Sequence, residues 1–212
     1  MRLLILLGPP GSGKGTQAHL LEKEGWARVS TGDLLRQIVD RKNELSRKIK
    51  MILAEGKLVK DDIVFELVKE EILKQKGKDV ILDGFPRNLS QAKMLMDFTK
   101  EYDLILILLN LDEAEIIRRN TGRRTCKNCQ KIYNIYLLPP KQDNKCDICG
   151  SEIVQRNDDK EEVIKERINI YNKELKDIVG FYRKKLNIHK INGNNKIEEI
   201  FKKIIEIVNT NK

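Results

Sequence analysis

Short runs of consecutive apolar residues alternate with amphipathic segments along most of the chain. The longest runs, Leu3–Leu7 and Leu104–Leu109, have the length of a β-strand, and strands that are apolar on both faces are typical of the centre of a parallel sheet. Shorter runs at Trp26–Val29, Val80–Leu82 and Ile188–Ile191 predict three more strands. The pattern therefore predicts an α/β fold, with a parallel sheet and helices on both of its faces.

Between these strands the apolar residues have helical spacing. The clearest stripe lies in a long helix that starts near Asp158, and it repeats at steps of four and three residues: Ile164, Ile168, Tyr171, Leu175, Ile178 and Tyr182. Other helices are predicted at about 14–24, 62–75, 90–100, 112–120 and 196–208. Asp61 is a candidate N-cap for the helix at 62–75.

Two stretches do not fit this alternation of strands and helices. Residues 30–59 contain two short helical patterns, which are typical of an inserted cap, and residues 122–159 carry all four cysteines. We call residues 122–159 the cysteine segment. The expected organisation is a core of residues 1–29, 60–121 and 160–212 that carries these two insertions.

The composition is that of an ordinary globular protein with surplus positive charge. The chain has 212 residues, of which 41 are Lys or Arg and 32 are Asp or Glu, so the formal net charge is +9. Such a surplus attracts nucleic acid, anionic lipid or phosphorylated small molecules, and charge alone does not choose among them. No apolar run approaches the roughly 20 residues that span a bilayer, and the N-terminus lacks the longer apolar core of a secretory signal. We therefore expect a cytoplasmic protein with no membrane partner.

The segment Gly8–Lys14 has the composition and context of a phosphate-binding loop, because it is rich in glycine, follows an apolar strand and opens a helix. Its glycines allow backbone N–H groups to approach phosphate oxygens, and Lys14 supplies a full charge for the β- and γ-phosphates. The next residue is Gly15, where such loops usually carry Ser or Thr that contacts Mg²⁺ directly. We therefore expect phosphates and waters to hold Mg²⁺, with Asp83, at the carboxyl end of a strand, as an outer partner.

The four cysteines form two Cys-x-x-Cys pairs, Cys126 with Cys129 and Cys146 with Cys149, separated by 16 residues. This is the spacing of a zinc ribbon, in which four thiolates bind one tetrahedral Zn²⁺. Because four thiolates leave no coordination position for a substrate, the site is predicted to be structural. Free thiols, a pair of disulfides, and iron in place of zinc are the alternatives.

Basic residues surround the first cysteine pair, with no acidic residue between Ile116 and Lys131. They are Arg118, Arg119, Arg123, Arg124, Lys127 and Lys131. A zinc ribbon with such a flank is a candidate nucleic-acid binder. Only Tyr133 and Tyr136 lie nearby to stack on bases, and a phosphate-binding loop is present elsewhere. Steering of nucleotides explains the charge with fewer assumptions, so no nucleic-acid partner is expected.

In chain order these motifs resemble those of the adenylate kinases, among the nucleoside monophosphate kinases. The matching segments are Gly-Pro-Pro-Gly-Ser-Gly-Lys-Gly-Thr at 8–16, Ser-Thr-Gly-Asp-Leu-Leu-Arg at 30–36, Gly-Lys-Leu-Val at 56–59, Asp-Gly-Phe-Pro-Arg at 83–87 with Gln91, Thr-Gly-Arg-Arg at 121–124, and Arg156 and Arg167. The resemblance implies a P-loop NTPase-type core of five parallel strands, an AMP-binding insertion at 30–59, a mobile zinc-bearing lid at 122–159, and a monomer. It implies Mg²⁺-dependent phosphoryl transfer from ATP to AMP, which gives two ADP.

The resemblance also implies which residues hold each nucleotide. ATP would contact Gly11, Ser12, Gly13, Lys14, Gly15, Thr16, Arg119, Arg123, Ile132, Tyr133 and Asn195, although Gln or Lys is often found where Asn195 falls. AMP would contact Thr31, Arg36, Lys57, Leu58, Val59, Gly84, Phe85, Pro86, Arg87, Gln91, Arg156 and Arg167. The residues expected to act in catalysis are Lys14, Arg87, Arg123, Arg156 and Arg167. Guanidinium groups suit this role because their forked donors match phosphate oxygens.

Gln91, four residues after Arg87, bears on the choice of base. Relatives that act on pyrimidine monophosphates tend to carry Asn there, and the amide of Gln can hydrogen-bond adenine in two directions. AMP is therefore favoured over UMP or CMP, and another nucleoside monophosphate as acceptor is the alternative.

Overall fold

A computed structural model of the chain describes residues 1–39 and 44–210. The insertion expected at 30–59 and the core segment expected at 160–212 therefore each include residues that lie outside the described ranges.

The strands form two separate sheets. Along the chain they are β1 (Arg2–Leu7), β2 (Ala27–Ser30), β3 (Val80–Asp83), β4 (Asp103–Asn110), β5 (Arg123–Cys126), β6 (Ile132–Asn134), β7 (Ile153–Val154) and β8 (Ile188–Asn192). Five of them form a sheet in the order β2-β3-β1-β4-β8, in which every neighbouring pair is parallel. The other three form a small antiparallel sheet, in the order β6-β5-β7, inside the cysteine segment.

Eight α-helices are present in the described residues: α1 (Lys14–Lys23), α2 (Thr31–Val39), α3 (Glu44–Ala54), α4 (Asp61–Lys74), α5 (Leu89–Phe98), α6 (Glu113–Thr121), α7 (Glu161–Arg183) and α8 (Ile197–Thr210). The predicted α/β fold is thereby confirmed, and each predicted strand and helix differs from the observed element by only a few residues. None of the helices in these ranges is long and apolar enough to cross a membrane.

The core lies on both faces of the parallel sheet, because side chains of successive strand residues point to opposite faces. Leu3 and Ile5 of β1 belong to one apolar cluster, which includes residues of α4, α5 and α7. Leu4 and Leu6 belong to a second cluster, with residues of α1 and α8. All four of these leucine and isoleucine side chains are fully buried. This two-sided burial accounts for the uninterrupted apolar run that identified β1 in the sequence.

The order of the strands determines where the motifs that follow the strands meet. The strands β2, β3 and β1 are adjacent and parallel, so their carboxyl ends lie at the same edge of the sheet. The segments that follow these strands begin at Thr31, Gly84 and Gly8. Ligands of open α/β sheets bind at this edge.

The prediction that Asp61 caps a helix is wrong. Helix α4 already includes Asp61, and Lys60 occupies the N-cap position without a side-chain hydrogen bond. The Oδ1 atom of Asp61 instead accepts hydrogen bonds from Nδ2 of Asn88, at 2.7 Å, and from Nε2 of Gln91, at 2.8 Å. Amide groups near the start of α5 thus compete successfully for the carboxylate that sequence reasoning assigned to the helix terminus.

Candidate active site and metal centre

The loop between β1 and α1 has a backbone conformation that suits phosphate binding. Gly11 and Gly13 have φ angles of 75° and 95°, in the left-handed region that glycine adopts without strain, and α1 begins at Lys14. Gly11 is also confined, because a Cβ atom there would lie 2.4 Å from Nδ2 of Asn120. The backbone N–H groups of the loop and the N-terminus of α1 together favour an anion.

Lys14 folds back over this loop. Its Nζ donates hydrogen bonds to the carbonyl oxygens of Gly8, at 2.7 Å, and Pro9, at 2.8 Å, and to Oγ of Ser12 at 3.3 Å. The ammonium group therefore lies over the backbone that is expected to surround the phosphates.

Other cations lie close to Lys14. Burial lowers the pKa of Lys14 to about 7, and although Asp83 raises it, Arg87, Arg167 and Arg123 lower it. Lys14, Arg87 and Arg167 also line a common cavity of about 100 Å³, whose remaining wall is largely apolar. Because buried cations are costly unless an opposite charge is near, this cavity is suited to an anionic ligand.

Two acidic residues that follow Arg156 hold two of the predicted arginines. Arg123 donates two hydrogen bonds to Asp159, one of them from Nε to Oδ2 at 2.8 Å, and the carboxyl group of Asp159 is fully buried. Nη1 of Arg167 donates to Oδ2 of Asp158 at 2.9 Å. Asp158 and Asp159 were not among the predicted site residues. Their proximity to Arg156 in the sequence is the only signal that could have indicated them.

The remaining predicted arginines have different partners. Arg36 donates to Oδ1 of Asp33, Nε of Arg87 donates to the carbonyl oxygen of Gly84 at 2.8 Å, and Nε of Arg156 donates to Oγ1 of Thr125 at 2.9 Å. Burial lowers the pKa of Arg156 and that of Arg167 to about 10. The five arginines thus come from distant parts of the chain and lie near one another.

Asp83 is the last residue of β3, at the carboxyl edge of the parallel sheet. A Cβ atom built at Gly15 would be 3.4 Å from Oδ2 of Asp83, so this carboxylate faces the residue that follows Lys14. The same Oδ2 accepts a hydrogen bond from Nη2 of Arg28 at 3.3 Å. A carboxylate beside the phosphate loop fits a hydrated Mg²⁺ ion, which prefers oxygen ligands and retains several waters.

A second, smaller pocket brings together six of the twelve residues expected to hold AMP. Its wall consists of Thr31, Leu35, Leu53, Lys57, Leu58, Val59, Val64, Arg87 and Gln91. Gln91 is almost completely buried, and its Oε1 accepts the backbone N–H of Arg87 at 2.8 Å. Gly84 and Pro86 line the larger cavity instead, and Phe85 is fully buried in the core.

Asp33 was also missed by sequence reasoning. It accepts hydrogen bonds from both Arg28, at 2.7 Å, and Arg36. Although burial raises the pKa of Asp33, these two arginines hold it at about 2. Asp33 therefore stays ionised. It connects Arg36 to Arg28, and Arg28 also donates to the carboxylate of Asp83.

The residues expected around ATP are less closely grouped. Nε of Arg119 donates to Glu115 at 2.7 Å, and the turn that contains Asn195 touches the phosphate loop, because a Cβ at Gly193 would lie 3.5 Å from the carbonyl oxygen of Ser12. Tyr133 is different. Its side chain is buried inside the cysteine segment, where its hydroxyl lies 3.3 Å from Sγ of Cys146. A contact between position 133 and ATP would therefore involve its backbone.

The four cysteines meet at one point. Their sulfur atoms all lie within 4.8 Å of one another, and the distances from Cys126 to Cys149 and from Cys129 to Cys146 are 3.4 Å. None of the four forms a disulfide. Four Zn–S bonds of about 2.3 Å in a tetrahedron require sulfur separations of about 3.8 Å. The donor set therefore fits a single tetrahedral metal ion.

Comparison with known proteins agrees with the fold. Residues 6–187 match the family model described as Adenylate kinase. The adenylate kinase of Archaeoglobus fulgidus is 44% identical over 211 residues, which cover 97% of each chain. Those of Petrotoga mobilis and Borreliella burgdorferi are each 43% identical, over 98% and 97% of this chain and 97% of their own. The chain belongs to the adenylate kinase family.

Proposed function

We propose that the cluster of Lys14, Arg87, Arg123, Arg156 and Arg167 carries out reversible phosphoryl transfer from ATP to AMP, giving two ADP and thereby balancing the adenine nucleotides of the cell. The observation that carries the proposal is the partly buried Lys14, which lies close to Arg87, Arg123 and Arg167 beside a glycine-rich loop at the carboxyl edge of the sheet. Phosphoryl transfer needs this arrangement, because positioning and charge stabilisation supply most of its catalysis.

On the donor side, the loop at Gly11–Thr16 would bind the phosphates of ATP through its backbone N–H groups, and Lys14 would contact the β- and γ-phosphates. Phosphate oxygens would replace the carbonyl oxygens that now accept hydrogen bonds from Nζ. Arg119, the backbone at 132–133 and the turn at Asn195 would hold the nucleoside. Mg²⁺, when bound with ATP, neutralises phosphate charge, and Asp83 would accept hydrogen bonds from its waters.

On the acceptor side, the pocket of Thr31, Lys57, Leu58 and Val59 would hold the nucleoside of AMP. Gln91 supports this assignment. One lone pair of its Oε1 and one N–H of its Nε2 are used within the protein, and each atom keeps a second position for the edge of adenine. Arg36 and Arg87 would bind the α-phosphate of AMP, and Arg156 and Arg167 would lie between the two nucleotides.

Exclusion of water determines which acceptor receives the phosphoryl group. Closure of residues 30–59 and of the cysteine segment over the cavity would leave the AMP phosphate as the accessible nucleophile. Gly32, Gly56 and Gly122 lie near the ends of these segments and are the hinge candidates. Gly56 has a φ of 72°, which other residues rarely adopt.

The metal of the cysteine segment is proposed to be a structural Zn²⁺ bound by Cys126, Cys129, Cys146 and Cys149. Iron would fit the same four sulfurs, and metal analysis of protein purified without added metal would decide between them. A cytoplasmic location, a monomeric state and the lack of a nucleic-acid partner stay predictions.

The proposal is tested by incubating the purified chain with Mg²⁺ and ADP alone and measuring ATP and AMP. Equal amounts of both products are expected. A panel of nucleoside monophosphates offered with ATP then tests the acceptor, and AMP is expected to be used at least about 10-fold better than UMP or CMP, since the loss of base hydrogen bonds leaves buried polar groups unpaired. Failure to interconvert ADP with ATP and AMP would contradict the proposal, and preference for another monophosphate would revise the acceptor.

A further inference from the structure

Arg156 differs from three of the other four arginines expected at the site in what holds its side chain. Arg36, Arg123 and Arg167 each form an ion pair with an aspartate. Within the ranges 1–39 and 44–210, Arg156 has no ion pair, and its one hydrogen bond runs from Nε to Oγ1 of Thr125, at 2.9 Å. A neutral hydroxyl therefore takes the place that a carboxylate has beside the other three arginines.

Thr125 is well placed to hold another side chain in a defined position. It lies in β5, the central strand of the small sheet, where it pairs with Ile132 of β6 and Val154 of β7. Its side chain is buried and β-branched, so its rotamer is restricted. Arg156 follows Val154 by two residues. The hydroxyl is thus fixed by a paired strand immediately beside the arginine.

The surroundings of Arg156 would otherwise favour its displacement. Burial lowers its pKa, and the positive charges of Arg123 and Arg36 lower it further, while Asp158 and Asp159 raise it. A long side chain that is repelled by neighbouring guanidinium groups tends to move toward water unless something anchors it. Among the described residues, Thr125 is the only hydrogen-bonding anchor of the Arg156 guanidinium.

The chemistry of this anchor suits a residue that must bind phosphate. The Nε–H of a guanidinium is one of its five donors, and the other four are on Nη1 and Nη2. A hydroxyl that accepts only the Nε–H leaves these four donors and the whole positive charge available. A carboxylate would compete with phosphate for both.

We propose that Thr125 is a positioning residue for phosphoryl transfer, whose hydroxyl accepts the Nε–H of Arg156 and aims its terminal nitrogens at the phosphates. The inference rests on the proposed role of Arg156. Thr125 lies between Arg124 and the candidate metal ligand Cys126. Neither the loop motif nor the cysteine spacing indicates a role in phosphoryl transfer for it.

The test compares T125V, which has nearly the same shape but no hydroxyl, with T125S, which keeps the hydroxyl. T125V is expected to lower kcat about 10-fold with KM for ATP and AMP changed less than about two-fold, because a misaligned charge acts mainly on the transition state. T125S is expected to stay within about three-fold of the unmodified protein. Metal content and unfolding temperature are measured for both, since position 125 adjoins Cys126, and T125A replaces T125V if that variant does not retain its metal.

A double-mutant cycle with R156A separates the possible outcomes. In the R156A background, T125V is expected to lower kcat no further, because the group that it positions is gone. The inference is overturned if T125V has unchanged kcat, or if it lowers kcat equally with and without Arg156. If R156A alone retains full activity, the proposed role of Arg156 fails, and the role of Thr125 fails with it. If R156A is impaired and T125V is unaffected, only the role of Thr125 fails.

Discussion

The parallel sheet of the core is covered by two large apolar clusters, whereas the cysteine segment has a single cluster of four buried residues, Cys126, Tyr133, Cys146 and Ile153. Two of these four are candidate metal ligands. Several apolar side chains of the segment are exposed, among them Leu137 and Ile148. A segment of this size does not bury enough apolar surface to fold by itself. The difference supports the proposal that metal–sulfur bonds stabilise the cysteine segment, whereas apolar packing stabilises the core, so we expect that each region can be perturbed separately.

The largest effect is expected from Lys14→Ala, which removes chemistry from the core without removing its packing. We expect kcat to fall by about 1000-fold, as for the loss of a strong charge stabiliser in other enzymes. The unfolding temperature should stay the same or rise, since a partly buried ammonium is lost. The matched control is Lys165→Ala, at an exposed lysine paired with Glu161 on α7, which should leave both quantities unchanged. Unchanged turnover in Lys14→Ala would remove the phosphate loop from the proposed mechanism.

Cys146→Ser should separate the two regions most directly. Loss of one thiolate is expected to reduce metal affinity and to lower activity by about 100-fold, the upper end of the losses seen when only the outer-shell partners of metal ligands are changed. Hydrogen exchange should increase in the cysteine segment and stay slow in β1, β3 and β4, since their packing does not involve the metal. Ile148→Ser, at a side chain that is 68% exposed between two ligands, is the control and should keep the metal. Simultaneous loss of protection in both regions would show that the core is not independent.

Removal of apolar volume should affect the two regions unequally. Leu4→Ala, at a fully buried position of β1, is expected to lower the free energy of unfolding by about 3 kcal/mol. Leu137→Ala, at a side chain that is 50% exposed in the cysteine segment, is expected to change it by less than about 0.5 kcal/mol. Denaturant unfolding of the metal-loaded proteins measures both. Similar losses in the two variants would contradict the distinction between apolar and metal-based stabilisation.

The smallest effect concerns protonation within the core. The pKa of Lys14 is lowered to about 7, and bound phosphates would raise it. At pH 8 we therefore expect that a bisubstrate analogue, which bridges both nucleotide sites, binds with uptake of up to about one proton. At pH 5.5, below the lowered pKa, Lys14 is already protonated and no uptake on its account is expected. Calorimetry in buffers of different ionisation enthalpy measures the uptake, and Lys14→Met should lack it. Equal uptake in both proteins would assign the proton to another group.

Most of the fold could be predicted because its signals are local. The apolar runs of β1 and β4, the stripe of α7 and the glycines of the phosphate loop each reflect an environment that neighbouring residues share. The cysteine spacing was equally informative, since a turn of two residues places both thiolates of a pair on one metal. For the candidate site, the sequence predicted which residues take part but not which side chains pair with one another. The acid that pairs with Arg123 is Asp159, 36 residues away, and Asp61 pairs with Gln91, 30 residues away.

The sequence by itself determined the α/β class and the family, and it predicted the phosphate loop with its anionic preference and the tetrahedral metal site. These depend on short-range patterns of hydrophobicity, backbone freedom and ligand spacing. Only the tertiary structure decided the strand order and the convergence of five arginines. It also decided the hydrogen-bond partners of Asp61, Tyr133 and Thr125. Each of these depends on contacts between distant parts of the chain, where several groups compete for one partner and the folded geometry selects among them.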